Sequence, residues 1–276
     1  VLQNLHTHTH HSDGEGKLNA FCKEAVMLGM DSIGFSDHAP LPFPTSWAMK
    51  EEGIGDYLKE VVDAKIKFDK SLKVYCGFEA DFIKGGVTPD RWRVLPGLDY
   101  MIGSIHFLLM PDGQLLEVTG DRQNFELIRN QNNLEDKELM LLYFQANADM
   151  LEDANVDVLG HLDKMKINIP NFNEILASDK DVQKVLDSVL HLCDREDVVI
   201  EVNTRGQYKS NSKESYPGPF ILNRILEEEL NICISSDAHG INESRMLFDE
   251  TKEMLKATGH KYIFTFDGYD WVPEKL

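Results

Sequence analysis

Short apolar runs alternate with longer amphipathic ones along the whole chain, and most of the apolar runs end on a His, Asp or Glu. Gln3 to His6 reads as the end of a first short strand. Leu18 to Leu28 has helical spacing and stops at Gly29, a C-terminal cap. Ser32 to Ser36 predicts a buried strand running into Asp37 and His38. A Pro-rich loop follows, Ala39 to Ser46, with Trp47 and Met49 expected to be exposed above it. Tyr57 to Phe68 predicts a helix, and Lys73 to Phe78 a strand delivering Glu79. Tyr100 to Ile105 predicts a strand delivering His106, ahead of a long polar loop from Met110 to Asn124. Leu134 to Leu151 is a helix, and Val156 to Gly160 a strand delivering His161. Val182 to Cys193 is helical, Val198 to Asn203 a strand, and Phe220 to Leu230 a helix. Asn231 to Ser235 is a strand delivering Ser236, Asp237, Ala238 and His239. Glu243 to Thr258 is the last long helix, followed by Lys261 to Phe266. The helix stripes Leu139, Leu142, Tyr143 and Val182, Val185, Leu186, Val189 are core.

The strand-helix unit returns roughly every 30–40 residues, without a linker, a low-complexity tract or a fixed repeat, which argues one α/β domain over residues 1–276 with a parallel sheet. About seven such units close more naturally as a barrel than as an open sheet. A hydrophobic content of 42% supplies the core. No apolar run reaches the ~20 residues of a membrane span and no leader-like stretch precedes the first strand, so the expected location is the cytoplasm and no membrane partner is expected. Cys22, Cys76, Cys193 and Cys233 are widely spread without a CxxC pair, and are expected as buried thiols. The formal charge of −19 offers no basic stripe and argues against nucleic acid. It leaves a phosphorylated small molecule open, because metal ions invert the charge of a pocket locally.

The opening stretch then changes the picture. His6, His8, His10, His11 and Asp13 fall within a few residues of one another. In a strand, side chains two apart share a face, so His6 and His8 point together as half of a metal site. His38, Glu79, His106, His161, Asp237 and His239 each sit at or just after a predicted strand end. In a βα-barrel those C-terminal ends converge on one face, where the loops carry the chemistry. His191 and His260, on or beside helices, read as surface or packing residues. Counting Asp13 gives nine candidate ligands, too many for one tetrahedral zinc, so two or three divalent ions are expected. Imidazole and carboxylate together suit zinc, manganese or iron. Three such ions, three carboxylates and a hydroxide leave about +2, which matches a phosphate monoester dianion.

Six motifs give this pattern a family. His6-Thr7-His8 with Ser12-Asp13-Gly14, Phe35-Ser36-Asp37-His38-Ala39-Pro40 and Gly77-Phe78-Glu79 come first. Ile102-Gly103-Ser104-Ile105-His106-Phe107-Leu108, Gly160-His161-Leu162-Asp163 with Glu201-Val202-Asn203-Thr204, and Ser235-Ser236-Asp237-Ala238-His239 follow in order. Together they resemble the PHP (polymerase and histidinol phosphatase) family, and within it the monofunctional histidinol-phosphate phosphatases. The resemblance implies a distorted, TIM-barrel-like (β/α)7 barrel with a trinuclear metal site at the C-terminal ends of the strands. One ion would be held by His6, His8, Glu79 and Asp237; a second by the bridging Glu79 with His106 and His161; a third by Asp13, His38 and His239. Relatives often carry His at the Asp13 position, and the neighbouring His10 and His11 compete for that role or else lie at the pocket rim.

The implied activity is hydrolysis of L-histidinol phosphate to L-histidinol and inorganic phosphate, a step of histidine biosynthesis, by attack of a metal-bridging hydroxide. No protein nucleophile is expected. Glu79 as the bridge and Asp237 or His239 as proton donor to the leaving alcohol are the catalytic candidates. Arg205 is the candidate phosphate clamp, with Tyr208 and Lys209 on the same loop. Acidic Asp112, Glu117 and Asp121 are placed to accept the ammonium and imidazole of a histidinol moiety. The competing expectations are a phosphoesterase acting on nucleotides or short oligonucleotides, against which the acidic charge stands, and a non-catalytic metal-binding barrel, against which stands the complete ligand set.

Overall fold

In the computed structural model, which describes residues 1–210 and 213–276, seven parallel strands curl into a nearly closed barrel. They are β1 (Gln3–Asn4), β2 (Ser32–Phe35), β3 (Lys73–Asp81), β4 (Tyr100–Ser104), β7 (Val158–Leu159), β8 (Val199–Asn203) and β9 (Ile232–Ser235), hydrogen-bonded in that order. Between β4 and β7 lies an antiparallel hairpin, β5 (Phe107–Leu109) with β6 (Leu115–Glu117). The ring closes where β1 meets β9. Just beyond those strands the His8 amide donates to Ala238 O at 2.8 Å and the Ala238 amide to His6 O at 3.0 Å. Strands buried on both faces need apolar side chains inside and out, which is why they read as continuous runs rather than alternating ones.

Inside the barrel, Tyr100 fills the lower half and its hydroxyl donates to Leu5 O. Glycine on the neighbouring strands makes the room: a Cβ on Gly77 would lie 2.4 Å from Tyr100 Cζ, and one on Gly34 2.4 Å from its hydroxyl. Around the barrel run α1 (Leu18–Met27), α2 (Ile54–Phe68), α3 (Asp90–Arg93), α4 (Arg122–Gln131) and α5 (Asp136–Asp153), then α6 (Phe172–Ser178), α7 (Lys180–Arg195), α8 (Arg205–Lys209), α9 (Pro219–Glu227) and α10 (Phe248–Thr258). α5 opens on a reciprocal capping box of Glu135 and Glu138, and Asp179 caps α7 by accepting from the Asp181 and Val182 amides. Core side chains of these helices, such as Tyr143, Phe144 and Leu186, are fully buried.

Several expectations need correction. The stretch expected as a polar loop from Met110 to Asn124 holds β6 and the start of α4, whose strands and helical face are too short or too polar to show in the pattern. The last long helix starts at Phe248, not Glu243, because Leu247 takes a left-handed conformation, φ 60°, after a short 3-10 turn. Met49 is buried, not exposed, and Trp47 is partly covered, its indole N–H donating to Glu117 at 2.9 Å. His191 is exposed and His260 buried. All four cysteines are buried free thiols. The chain after α10 forms a second hairpin, β10 (Tyr262–Phe266) with β11 (Trp271–Lys275), outside the barrel sheet. Among the described residues, no helix is long and apolar enough to cross a membrane.

Candidate metal centre

The C-terminal ends of the barrel strands bring all nine predicted ligands into one cluster, with Glu79 at its middle. Its two oxygens face different neighbours. Oε2 lies 3.2 Å from His6 Nε2, 3.4 Å from His8 Nε2 and 3.0 Å from His38 Nδ1. Oε1 lies 2.7 Å from His161 Nε2 and 3.4 Å from His106 Nε2, and accepts from the Ser104 hydroxyl at 2.7 Å. Asp237 Oδ1 sits 3.4 Å from both His8 Nε2 and His239 Nδ1. Asp13 closes the outer side, 3.3 Å from His239 Nε2 and 3.8 Å from His38 Nε2. Four sets of ligand atoms lie within 4.8 Å of one another: His8, Asp13, His38 and His239; His6, Glu79 and His161; His6, His8 and Asp237; and His38, Glu79 and His106.

These spacings fit divalent ions. Ligand atoms about 2.0–2.2 Å from a common tetrahedral or octahedral ion stand roughly 3.0–3.5 Å apart, the range most of these contacts occupy. The hydrogen-bond inventory agrees. His6 Nε2, both nitrogens of His8, His38 Nδ1, His106 Nε2, Glu79 Oε2 and Asp237 Oδ1 are buried without a hydrogen-bond partner, although folded proteins pair the great majority of such atoms. Two of the predicted ligands also carry backbone strain, His161 at φ 22° and Asp237 at φ 50°, of the kind that accumulates at functional sites. His10 and His11 do not join the cluster: both imidazoles turn to Glu60 on α2.

Behind the ligands stands a ring of carboxylates that the sequence reasoning missed. Glu201 on β8 accepts from His6 Nδ1 at 2.5 Å, from the His161 amide at 2.7 Å and from the Ser235 hydroxyl. With Nδ1 so engaged, His6 presents Nε2 to the cluster, the usual way an outer carboxylate fixes a ligand's tautomer. Asp81 lies 3.2 Å from His106 Nδ1 and accepts from its amide at 3.0 Å. Asp37 accepts from the amides and hydroxyls of Thr9 and Ser12 and so holds the turn that carries Asp13. The available signal was position: each is an acid inside or at the end of a barrel strand.

The imidazoles are not alike: burial acts to lower His6 and His38, but Glu201 beside His6 and Glu79 beside His38 outweigh it and hold both above the usual histidine range. Burial and then the His239 and His38 imidazoles hold His8 well below the usual histidine range, and burial with Lys164 brings His161 down to about 4. Both shifts favour the neutral imidazole, the form that ligates a metal. Burial opposes ionisation of Glu79, but His38, His6 and His106 outweigh it and keep the carboxyl well below its ordinary range. Burial likewise opposes Asp237, and Lys164 and His6 overcome it.

Above the cluster opens a cavity of about 740 Å³. It is lined by Asp13, His38, His106 and His239 of the cluster, by the cations Lys164, Lys166 and Arg205, and by Trp47, Glu117 and Thr119. All three hydrogens of the Lys166 ammonium are engaged, by Asp163, Glu214 and the Ser215 carbonyl. Lys164, missed in the sequence although it follows His161 by three residues, makes among the described residues a single side-chain polar contact, 3.4 Å to Asp237. Arg205 Nη1 donates to Asp237 O and to Glu243. Tyr208 is turned away, its hydroxyl donating to Ser236 O, and Lys209, at the cavity edge, pairs with Glu243 at 2.6 Å. Of the three loop acids only Glu117 lines the cavity. Asp112 is engaged by Gln114 and Asn132, and Asp121 caps α4.

Residues 4–205 match the model of the PHP domain family. The histidinol-phosphatase of Bacillus subtilis is 25% identical over 240 residues, with 80% of this chain and 87% of the relative aligned. A Deinococcus radiodurans protein named probable histidinol-phosphatase is 26% identical, with 90% of each chain aligned. Among solved structures, histidinol phosphate phosphatase from Lactococcus lactis, complexed with zinc, L-histidinol and phosphate, superposes with a TM-score of 0.71 at 18% identity, covering 98% of both chains. That likeness is one of fold, and it is the fold described above. With nearly three-quarters of its length inside the family match and the ligand cluster at the expected end of the barrel, the chain belongs to the PHP domain family.

Proposed function

We propose that this chain is a metal-dependent phosphomonoesterase that hydrolyses L-histidinol phosphate to L-histidinol and inorganic phosphate, and that the whole 276-residue chain works as one catalytic barrel. One observation carries the reading. The cavity over the predicted ligands is lined both by the cations Lys164 and Arg205 and by the acidic and aromatic pair Glu117 and Trp47. A phosphate monoester whose alcohol carries cationic nitrogens bears the complement of both charges. The names of the relatives, and the L-histidinol and phosphate in the Lactococcus structure, point the same way.

His6, His8, Asp13, His38, Glu79, His106, His161, Asp237 and His239 would hold two to three divalent ions, drawn from zinc, manganese and iron. Bound there, such ions supply Lewis acidity, lowering the pKa of water and neutralising phosphoryl charge. The protein's own residues do the rest. Lys164, with donor hydrogens to spare, anchors a phosphoryl oxygen. Arg205, which also lines the cavity, is held there through Asp237 O and Glu243. Glu117, steadied by the Trp47 indole, receives the cationic end of the leaving group beside the indole face. Of the two candidate proton donors, His239 lines the cavity and Asp237 does not, and His239 can serve the departing alkoxide only in a state in which its Nε2 carries a proton instead of a metal ion.

The test is phosphate release from L-histidinol phosphate beside nucleoside monophosphates and p-nitrophenyl phosphate, with metal content measured on the same sample. A strong preference for histidinol phosphate is expected. Weak, indiscriminate turnover by fully metallated protein would move the assignment to another phosphoester, including nucleotides, and no turnover at all to a metal-binding barrel.

A further inference from the structure

Outside the cluster around Glu79, the turn after β1 and helix α2 bring three more ligand-type side chains together. His11 Nε2 lies 2.8 Å, and His10 Nε2 3.7 Å, from the same oxygen of Glu60, Oε2. One ligand atom from each residue lies within 4.8 Å of the other two, and none is shared with the sets around Glu79. The two imidazoles sit side by side with ring centroids 4.3 Å apart, and His11 is backed edge-on by Tyr57 at 5.5 Å. Among the described residues, the ion-pair contacts of Glu60 are with these two imidazoles alone; no lysine or arginine takes its charge. At 3.7 Å the contact to His10 is too long for a hydrogen bond, so the carboxylate engages one imidazole and leaves the other beside it.

Separations of 2.8 and 3.7 Å bracket the roughly 3.3–3.5 Å between two ligands of one tetrahedral zinc. Two imidazoles and one carboxylate suit zinc, copper or nickel better than calcium or magnesium, which prefer all-oxygen sets. The His10 side chain is 41% exposed, so an ion has a path in and a fourth position open to water. We propose that His10, His11 and Glu60 form a second, solvent-accessible site for a borderline divalent transition-metal ion, zinc in the first instance, distinct from the catalytic cluster. The placement has a structural consequence. The same turn carries Asp13, so an ion here would clip that turn to α2 from outside, as Asp37 holds it from inside. The inference does not depend on which phosphoester the enzyme hydrolyses.

The experiment uses the zinc-loaded full chain, equilibrated against buffers of rising free zinc, with bound zinc per chain read by plasma mass spectrometry. Wild type should take up one equivalent more than His10→Ala and Glu60→Gln, with half-saturation at least tenfold higher in the variants. Crystals of the wild type should show zinc-edge anomalous density among the three side chains. Equal uptake by all three proteins would overturn the proposal. So would the loss of more than one equivalent in either variant, since it would place these groups in service of the main cluster.

Discussion

The two ends of this barrel are buried alike but solve the problem of polar atoms in opposite ways. At the N-terminal end the hairpin of β10 and β11 plugs the opening, and Gln3 pairs completely within the protein. Its amide nitrogen donates to Ser32 Oγ and Phe266 O, and its oxygen accepts from the Phe266 amide, all at 2.8 Å. Phe266 packs against Tyr75, Tyr100 and Trp271. The cavity left there, about 20 Å³, has room for one water. At the C-terminal end Glu79, Asp237 and the histidines keep buried atoms that no protein group completes. An unpaired buried polar atom costs about 1–3 kcal/mol, so the atoms at the C-terminal end call for partners from outside the chain, which those at the other end do not. The contrast separates residues that hold the barrel from residues that await ligands.

The largest effect that would test the contrast is at Glu79. Glu79→Ala should lose at least one metal ion and lower turnover by roughly 10³-fold or more, with the circular dichroism spectrum of the folded protein retained. Full metal content with ordinary activity would remove Glu79 from the centre of the site. Next comes Lys164→Gln, which removes the proposed anchoring charge and its 3.4 Å contact with Asp237 while leaving all nine predicted ligand side chains in place. A charge-assisted hydrogen bond is worth about 1.5–3 kcal/mol, so the KM for the phosphoester should rise about 10–100-fold, with inhibition by inorganic phosphate weakened in parallel. An unchanged inhibition constant for phosphate would show that Lys164 does not touch it.

At the other end the expected changes are in stability. Gln3→Ala strips partners from the buried Phe266 amide and carbonyl and should cost about 2–3 kcal/mol in urea unfolding, leaving kcat unchanged. A loss of kcat at full occupancy by substrate would mean that the plug and the site are coupled. The smallest effect is expected at His260, next to β10. Burial holds its imidazole below the usual histidine range, opposed only by a backbone contact at Leu222, so the folded state favours the neutral ring. That contribution is in place above about pH 6.5 and is lost as the pH falls through that value towards the lower folded pKa. Between about pH 7.5 and 5, wild type should therefore lose more thermal stability than His260→Gln, which differential scanning fluorimetry would resolve.

The functional end was also the legible one. His38, Glu79, His106, His161 and Asp237 stand out because each interrupts an apolar run at the point where a strand must end, and strand ends in a barrel meet at one place. Glu201 and Asp81 obey the same rule, yet their role depends on which imidazole nitrogen they face, a matter of geometry across 195 and 25 residues of chain. Lys164 reads as an ordinary polar loop residue until the barrel closes and turns it over Asp237. The hairpin of β5 and β6 went unseen because three-residue strands carry almost no periodicity. It matters, since it sets Glu117 against Trp47, a contact between positions 70 residues apart. Arg205, Tyr208 and Lys209 share one short helix, and a helical turn points its neighbours in different directions, which is why only some of them reach the cavity.

Closure of the ring between residue 8 and residue 238 also sets a schedule for making the protein. His6 and His8 leave the ribosome some 230 residues ahead of Asp237 and His239. At about 5–20 residues per second that is a delay on the order of 10–50 s, during which the first two imidazoles have half a coordination shell. A nascent chain stalled before β9 is therefore expected to bind zinc weakly and exchange it freely. Retention should appear only once the last barrel strand has docked. Metal retention in this architecture would thus follow closure of the barrel rather than precede it.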